Sequence, residues 1–181
     1  MIERRPALPD SYKFTADSDP VGVNTTFLFE TIAGHRYSIT FIEATKVTDI
    51  LDNFPVISNA IYVIVDNTLQ NGKAALDARI GVTIVHIVKH YLSEVDLNSI
   101  LAFNCDPEDG KQAKRHNKFD RWYKTYALDM GFEKIDEEIL APAGDEYVPT
   151  FISILYRIDH PRREHIPAEV EQLRKQMGDG K

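Results

Sequence analysis

Apolar runs of strand length, separated by clusters of turn residues, fill the first third of the chain. A short strand is predicted at Tyr12–Ala16. The runs Thr25–Ile32 and Arg36–Ile42 are rich in β-branched and aromatic residues and flank a short turn, which predicts an antiparallel hairpin. Thr45–Asn53 has apolar residues at helical spacing and is expected to form a short helix. Ile61–Val65 is apolar throughout, which favours a central strand that is covered on both faces.

The second half of the chain begins with a helix and a strand. Helical spacing predicts a helix over Ala75–Leu92, and another apolar strand follows at Ile100–Cys105. Because a strand, a helix and a strand in that order form a crossover connection, the strands at Ile61 and Ile100 are expected to be parallel. Phe132–Leu140 and Tyr147–Asp159 predict a last hairpin, in which Pro149 places the start of the second strand at an edge or a bulge.

The segment from Lys114 to Phe132 carries an aromatic stripe. Its apolar residues recur at the spacing of one helix face, and Gly131 is expected to end the helix in the left-handed conformation. A stripe of this width must be buried against a broad apolar surface, which we expect to be a sheet. The residues of the stripe are Phe119, Trp122, Tyr123, Tyr126, Ala127 and Met130.

These elements predict an α/β (α+β) fold with a mixed, mainly antiparallel sheet and two principal packed helices. A single domain is expected over residues 1–159, with an irregular arm at residues 1–11. Residues 160–181 are expected to form a charged tail, and its amphipathic stretch Pro167–Met177 is predicted to be a short helix. The sequence leaves three possibilities open for this tail: it docks on the domain, it contacts a partner, or it frays.

Composition narrows the functional classes. The chain has 181 residues and a net charge of −7, which disfavours nucleic acid as a partner. Cys105 is the only cysteine, so no internal disulfide forms and a cytoplasmic location is expected. The chain has neither an apolar run long enough to span a membrane nor the apolar core of a signal peptide, so no membrane association is expected. The oligomeric state stays open, a homodimer included.

The order of elements resembles that of the acyltransferase superfamily called GNAT, the N-acetyltransferase fold. In that family the fourth helix ends in a tyrosine-containing run followed by Gly-Phe, which Trp122–Ile135 (WYKTYALDMGFEKI) resembles. The family's central strand and following helix resemble Ile61–Leu92, and the resemblance covers roughly residues 60–159. It implies that a cofactor would lie where the strands at Ile61 and Ile100 separate. The run DPEDGKQAKRHNKFDRWY, together with the N-terminal hairpin, also resembles a bacterial family of unknown function.

Acyl transfer from a CoA thioester would need a pyrophosphate cradle at a helix N-terminus. The family supplies it with Arg or Gln, two residues, Gly, one residue, and Gly or Ala. The run QNGKA, with Gly72 and Lys73, has only one residue between Gln and Gly. The run RIGVT, with Arg79 and Gly81, likewise has only one residue between Arg and Gly, and it ends in Thr where the family has Gly or Ala. These four residues are the candidate cofactor-binding residues, with a plain loop glycine at Gly72 and a helix-packing glycine at Gly81 as the favoured alternatives.

The resemblance also implies a tyrosine that protonates the departing thiolate, four residues before the Gly of Gly-Phe. Ala127 stands at that position, so Tyr126, one residue away, and Tyr123, one turn earlier, are the candidate catalytic residues. Core packing is the favoured alternative for both, because a shift of one residue turns a helical side chain by about 100°. No spacing singles out a base. The acidic residues at expected strand ends are Glu30, Glu43, Asp66 and Asp106.

The striped helix has a basic side that could contact a phosphate or a nucleic acid, or bind an acidic partner protein. It consists of Lys111, Lys114, Arg115, Lys118 and Arg121, of which the last four are the candidate partner-binding residues, and a solvated face is the favoured alternative. His86 and His90 are four residues apart on one predicted helix, but nothing nearby completes a metal site, so no metal is expected.

The sequence thus predicts a degenerate, non-catalytic acetyltransferase-like protein that acts as a binding or regulatory module through a protein partner. The alternative is an acyl-CoA-dependent N-acyltransferase acting on a small molecule or a protein amine. The first hypothesis requires no cofactor, and the second requires acetyl-CoA.

Overall fold

A computed structural model gives the fold, and it describes residues 9–18, 24–47, 51–70, 77–95, 98–105, 107–127, 131–143 and 146–178. A seven-stranded sheet in the order β1-β2-β3-β4-β5-β7-β6 forms its centre. The strands are β1 (Phe14–Ser18), β2 (Asn24–Glu30), β3 (Arg36–Glu43), β4 (Ile61–Leu69), β5 (Ile100–Asn104), β6 (Phe132–Ala143) and β7 (Glu146–Arg157). The α-helices in the described part are α1 (Ala78–Glu94), α2 (Gln112–Trp122) and α3 (Ile166–Gly178).

The sheet is antiparallel at every neighbouring pair of strands except β4 and β5, which are parallel. This confirms the predicted fold class of a mixed, mainly antiparallel sheet with packed helices, and also the predicted crossover through α1. The hairpin β2–β3 is in register from Asn24↔Ile42 to Glu30↔Arg36, with Gly34 at a φ of 80° in its turn. Glycine suits that position because it has no Cβ.

Each face of the sheet buries its own apolar core. On one face α1 and α2 pack against alternate residues of the strands, such as Phe41, Val63 and Leu101. On the other face α3 and residues 51–60 cover Tyr62 and Ile154. Successive residues of β4 and β5 therefore point alternately to the two faces of the sheet, as in any strand. The sequence of β4 itself shows no matching alternation of apolar and polar residues.

The C-terminal tail docks on the domain through α3. Ile166, Val170 and Leu173 are buried against the second face of the sheet. The carboxylate of Glu169 accepts hydrogen bonds from the backbone N–H groups of Val56 (2.9 Å) and Ile57 (3.0 Å). Of the three options that the sequence left for this tail, the structure shows docking.

One local prediction differs from the structure. The helix expected at Thr45–Asn53 is replaced by single 3₁₀ turns at Ala44–Lys46 and Ile57–Asn59, and residues 48–50 lie outside the described part. Burial of Leu51 and Phe54 satisfies the apolar spacing without a regular helix. Pro149 lies inside β7, opposite Leu140 of β6, and within the described residues β5 pairs with β7 only from Ile152 onward, which confirms that this strand begins at an edge. The side of β7 that faces β5 therefore needs no donor at Pro149.

Within the described residues, no helix combines the length and the apolar character needed to cross a membrane.

Candidate functional site

The two central strands separate shortly after they meet. Among the described residues, β4 and β5 pair only at Ile61↔Leu101 and Tyr62↔Ala102, although β4 continues to Leu69. On its other side β4 stays paired with β3 along its length, and β5 stays paired with β7. In the part of the chain that the structure describes, no strand therefore pairs with the backbone of β4 beyond Tyr62 on the β5 side.

A cleft of about 480 Å³ fills this gap. Its volume lies in the range of roughly 300–1,000 Å³ that is usual for small-molecule sites. Most of its lining is apolar and belongs to the core beneath α1 and α2. Val47 and Ile64 also line it and are each 43% exposed, so the cleft opens to solvent. The buried and half-buried apolar lining comprises Val63, Val65, Ile84, Val85, Val88, Leu101, Phe103, Phe119, Trp122, Ala127, Phe132 and Leu155.

A buried lysine provides the most unusual polar group of the lining. Lys134 on β6 has a side chain that is only 3% exposed. Its ammonium group lies 2.8 Å from Asp136 and 3.3 Å from Asp120. Asp136 also accepts a hydrogen bond of 2.5 Å from the hydroxyl of Ser153. These ion pairs satisfy the buried charge, which would otherwise be costly in an apolar wall.

Asn104 and Arg115 line the cleft with Lys134, and because both cations act on Cys105, which directly follows Asn104, the three side chains form one polar end of the cleft. Arg115 makes a bidentate pair with Asp109, with both N···O distances at 2.7 Å, and this pair holds the pKa of Asp109 well below its usual range. Arg115 and Lys134 both act electrostatically on the thiol of Cys105, which follows β5. Burial is the larger effect and raises the pKa of Cys105 to about 11, so the thiol is protonated at neutral pH.

The aromatic stripe ends in a π-helical turn. α2 stops at Trp122, and Tyr123–Ala127 continue as a π-helix, a form that is often found at functional sites. Tyr123 and Ala127 line the cleft, whereas Tyr126 is half-buried against the same core but outside the lining. The Tyr123 hydroxyl donates a 2.8 Å hydrogen bond to the carbonyl of Phe132, and burial raises its pKa. Met130 lies outside the described residues, while Gly131 has the expected positive φ, 77°.

The N-terminus of α1 is closed by groups of the chain itself. The Asp77 carboxylate caps the helix by accepting a hydrogen bond from the Arg79 N–H (2.9 Å), and it accepts another from the Tyr12 hydroxyl (2.5 Å). The Arg79 guanidinium lies over the Tyr12 ring at 4.1 Å and donates to the carbonyl of Asp10. Tyr12 also donates from its backbone N–H to the hydroxyl of Thr83. Arg79 thus holds the segment that contains Asp10 and Tyr12 against the start of α1.

The candidate glycines lie in different surroundings. Gly81 is buried in α1, and a Cβ built on it would lie 2.3 Å from the indole Nε1 of Trp122. This glycine lets α1 and α2 approach each other closely. Gly72 and Lys73 fall outside the described residues.

The basic side of α2 is partly engaged within the domain. Arg115 pairs with Asp109, and the Lys118 ammonium lies 4.7 Å above the Trp122 ring. Lys114 and Arg121 are exposed.

The remaining candidates from the sequence are dispersed. His90 pairs with Glu94 at 3.4 Å and contacts the rings of Phe14 and Phe27, and His86 lies outside the cleft lining. Among the acidic residues considered as bases, Asp66 lines the cleft, Glu30 pairs with Arg36 and Glu43 pairs with Lys46. Asp106 lies outside the described residues.

Sequence reasoning missed Lys134. It lies on the same face of β6 as Phe132 and Asp136, so charged residues occupy a face that begins with a buried aromatic residue. The i, i+2 spacing of opposite charges was the available signal. The sequence also gave no sign of the bond between Tyr12 and Asp77, which are 65 positions apart.

A model of a protein family described as a family of unknown function (DUF6169) matches residues 76–166. The match begins just before α1, includes β5, α2, β6 and β7, and ends at the first residue of α3. It agrees with the expected resemblance to a family of unknown function. No curated protein and no solved structure matches the chain.

Proposed function

The chain belongs to the family of unknown function DUF6169, and we propose that it is a non-catalytic, acetyltransferase-like binding protein whose β4–β5 cleft holds a small ligand. The separation of β4 from β5 after two residue pairs is the observation that carries this proposal. Strands that part inside a sheet leave backbone polar groups and apolar side chains facing a common gap. A ligand with both kinds of surface can satisfy them together.

The groups that acyl transfer would require argue for binding without catalysis. Ala127 occupies the position of the expected acid, and the hydroxyl of Tyr123, which lines the cleft, is already bound to the Phe132 carbonyl. The Asp77 carboxylate lies at the N-terminus of α1, where a pyrophosphate would have to bind. Two anionic groups at one helix terminus repel each other. Gly81, which packs against Trp122, supplies no cradle for phosphate.

A neutral apolar dye tests whether the cleft binds ligands. We expect Nile red to bind the wild-type protein with a rise in emission, and the variant Val85→Phe, which fills the cleft wall, to weaken that binding about tenfold or more. His86→Phe is the matched control, since His86 is the next residue of α1, is also half-buried, and lies outside the lining. Equal dye binding by the two variants would show that the cleft is not the site.

Calorimetry with acetyl-CoA tests the non-catalytic part of the proposal. We expect no heat of binding at millimolar acetyl-CoA, because Asp77 opposes the phosphates. Binding at micromolar acetyl-CoA would overturn this part.

An acyl-CoA-dependent N-acyltransferase is the second candidate function. It is favoured by the position of the cleft, which lies between the two strands that the acetyltransferase resemblance assigns to the cofactor, and by the presence of Tyr123 in its lining. If acetyl-CoA binds, the rate at which the variants Tyr123→Phe and Tyr126→Phe acetylate amine substrates shows which of the two tyrosines acts as the acid. Loss of turnover in Tyr123→Phe alone would support the enzyme, whereas equal turnover in both variants and the wild type would remove the tyrosine acid.

A further inference from the structure

We infer that the ligand of the β4–β5 cleft is an amphipathic carboxylate, an apolar chain that ends in a single negatively charged head held by Lys134, Arg115 and Asn104. This inference rests on the proposed function and names the chemistry of its ligand. The cleft has an apolar wall and a polar end, and the arrangement of charges at that end decides the sign of the head group.

The polar end of the cleft presents cations and keeps their partner carboxylates out of the lining. Lys134 and Arg115 both line the cleft. Their partners Asp120, Asp136 and Asp109 do not belong to the lining. The carboxylates therefore hold the two cations from outside the cavity. Of the charged residues in this cluster, Lys134 and Arg115 line the cleft, so a ligand there contacts the basic side chains and not their partner carboxylates.

The side chains at this end also match a carboxylate in shape. A guanidinium and an ammonium both donate charge-assisted hydrogen bonds, and the amide of Asn104 can add a neutral donor. Because the cations already have acidic partners, the cluster is better suited to one negative charge than to a doubly charged phosphate. At the solvent side of the lining, Asp66 and Lys89 carry opposite charges and give no net preference.

The wall opposite the polar end is suited to an alkyl chain. Ile84, Val85 and Val88 of α1 face the cleft together with Phe119 and Trp122 of α2 and Leu155 of β7. A chain bound there should gain affinity with each methylene that it buries, by about fourfold per methylene.

A head-group series measures the inference directly. Trp122 is the only tryptophan of the chain and lines the cleft, so its fluorescence reports occupancy. Decanoate, 1-decanol and decylamine each contain ten carbon atoms and differ in the charge of the head group at pH 7. We expect decanoate to bind about tenfold or more tightly than decanol, and decylamine to bind most weakly.

Two substitutions identify the residues responsible. Lys134→Met should reduce the affinity for decanoate to that for decanol and leave decanol binding within about twofold. Lys124→Met is the matched control, because Lys124 pairs with the same Asp120 but is exposed and lies outside the cleft. If Lys134→Met does not fold, Arg115→Gln serves instead, since its partner Asp109 can be solvated. It should weaken decanoate binding by about fivefold or more.

The outcomes separate this inference from the proposed function. Equal affinity for decanoate and decanol, tightest binding of decylamine, or unchanged decanoate binding by Lys134→Met would overturn the carboxylate assignment. In each of these cases the ligands still bind and the cleft remains a site. If none of the three ligands binds while Nile red does, the carboxylate assignment also fails and the cleft proposal stands. Failure of both Nile red and the series would refute the cleft itself.

Discussion

Replacing Gly81 by alanine is expected to destabilise the protein, although the same change stabilises most helices. A Cβ at this position would lie 2.3, 2.5 and 2.7 Å from three atoms of the Trp122 indole. The indole cannot move aside easily, because the Phe119 ring packs against it at 5.3 Å and the Lys118 ammonium lies above it. Only 8% of Trp122 is exposed. The added methyl group therefore forces α1 and α2 apart.

The expected change in the free energy of unfolding for Gly81→Ala combines two opposing contributions. Alanine gains about 1 kcal/mol over glycine inside a helix. Overpacking of a core costs about 1–3 kcal/mol, and the short distances to Trp122 place Gly81→Ala at the upper end of that range. We expect a net loss of about 2 kcal/mol in the free energy of unfolding. In a Trp122→Leu background the indole is absent, so Gly81→Ala should instead stabilise by about 1 kcal/mol.

Urea denaturation followed by far-UV circular dichroism measures the four proteins of this double-mutant cycle without using tryptophan fluorescence. The expected coupling energy between the two positions is about 3 kcal/mol. A Gly81→Ala cost that is equal in both backgrounds would refute the contact with Trp122. Coupling of the expected size would identify Gly81 as a packing glycine between α1 and α2.

Three further predictions concern stability. Asp77→Ala should lower the free energy of unfolding by about 1–2 kcal/mol through loss of the α1 cap and the Tyr12 bond, whereas Asp77→Asn should cost less, and thermal melting tests both. Glu169→Ala should cost about 2 kcal/mol in urea, since it leaves the Val56 and Ile57 N–H groups without their acceptor, and an unchanged midpoint would contradict this. Between about pH 9 and 11 stability should fall, because the unfolded chain ionises Cys105 while burial keeps the folded thiol protonated up to a pKa of about 11. The loss from this thiol is at most about 3 kcal/mol, and Cys105→Ala should show a smaller decline over the same pH range if the assignment is correct.

Most of the fold could be predicted from local sequence. The hairpin β2–β3, the parallel arrangement of β4 and β5, the final hairpin and the burial of the aromatic stripe all follow from periodicity and turn residues, which act within a few positions of each other. The expected helix at Thr45–Asn53 was wrong because the same apolar spacing is satisfied when Leu51 and Phe54 enter the core from irregular backbone. Periodicity records which residues are buried and leaves open the backbone that buries them.

The candidate site depends on contacts that periodicity cannot show. The sequence by itself determined that a strand, a helix and a parallel strand would lie side by side. Only the tertiary structure decided that β4 and β5 part after two pairs, that Asp77 and Tyr12 close the N-terminus of α1, and that Lys134 faces the cleft from β6. Each of these depends on residues far apart in the chain, whose meeting is set by the packing of the whole sheet and not by local propensity.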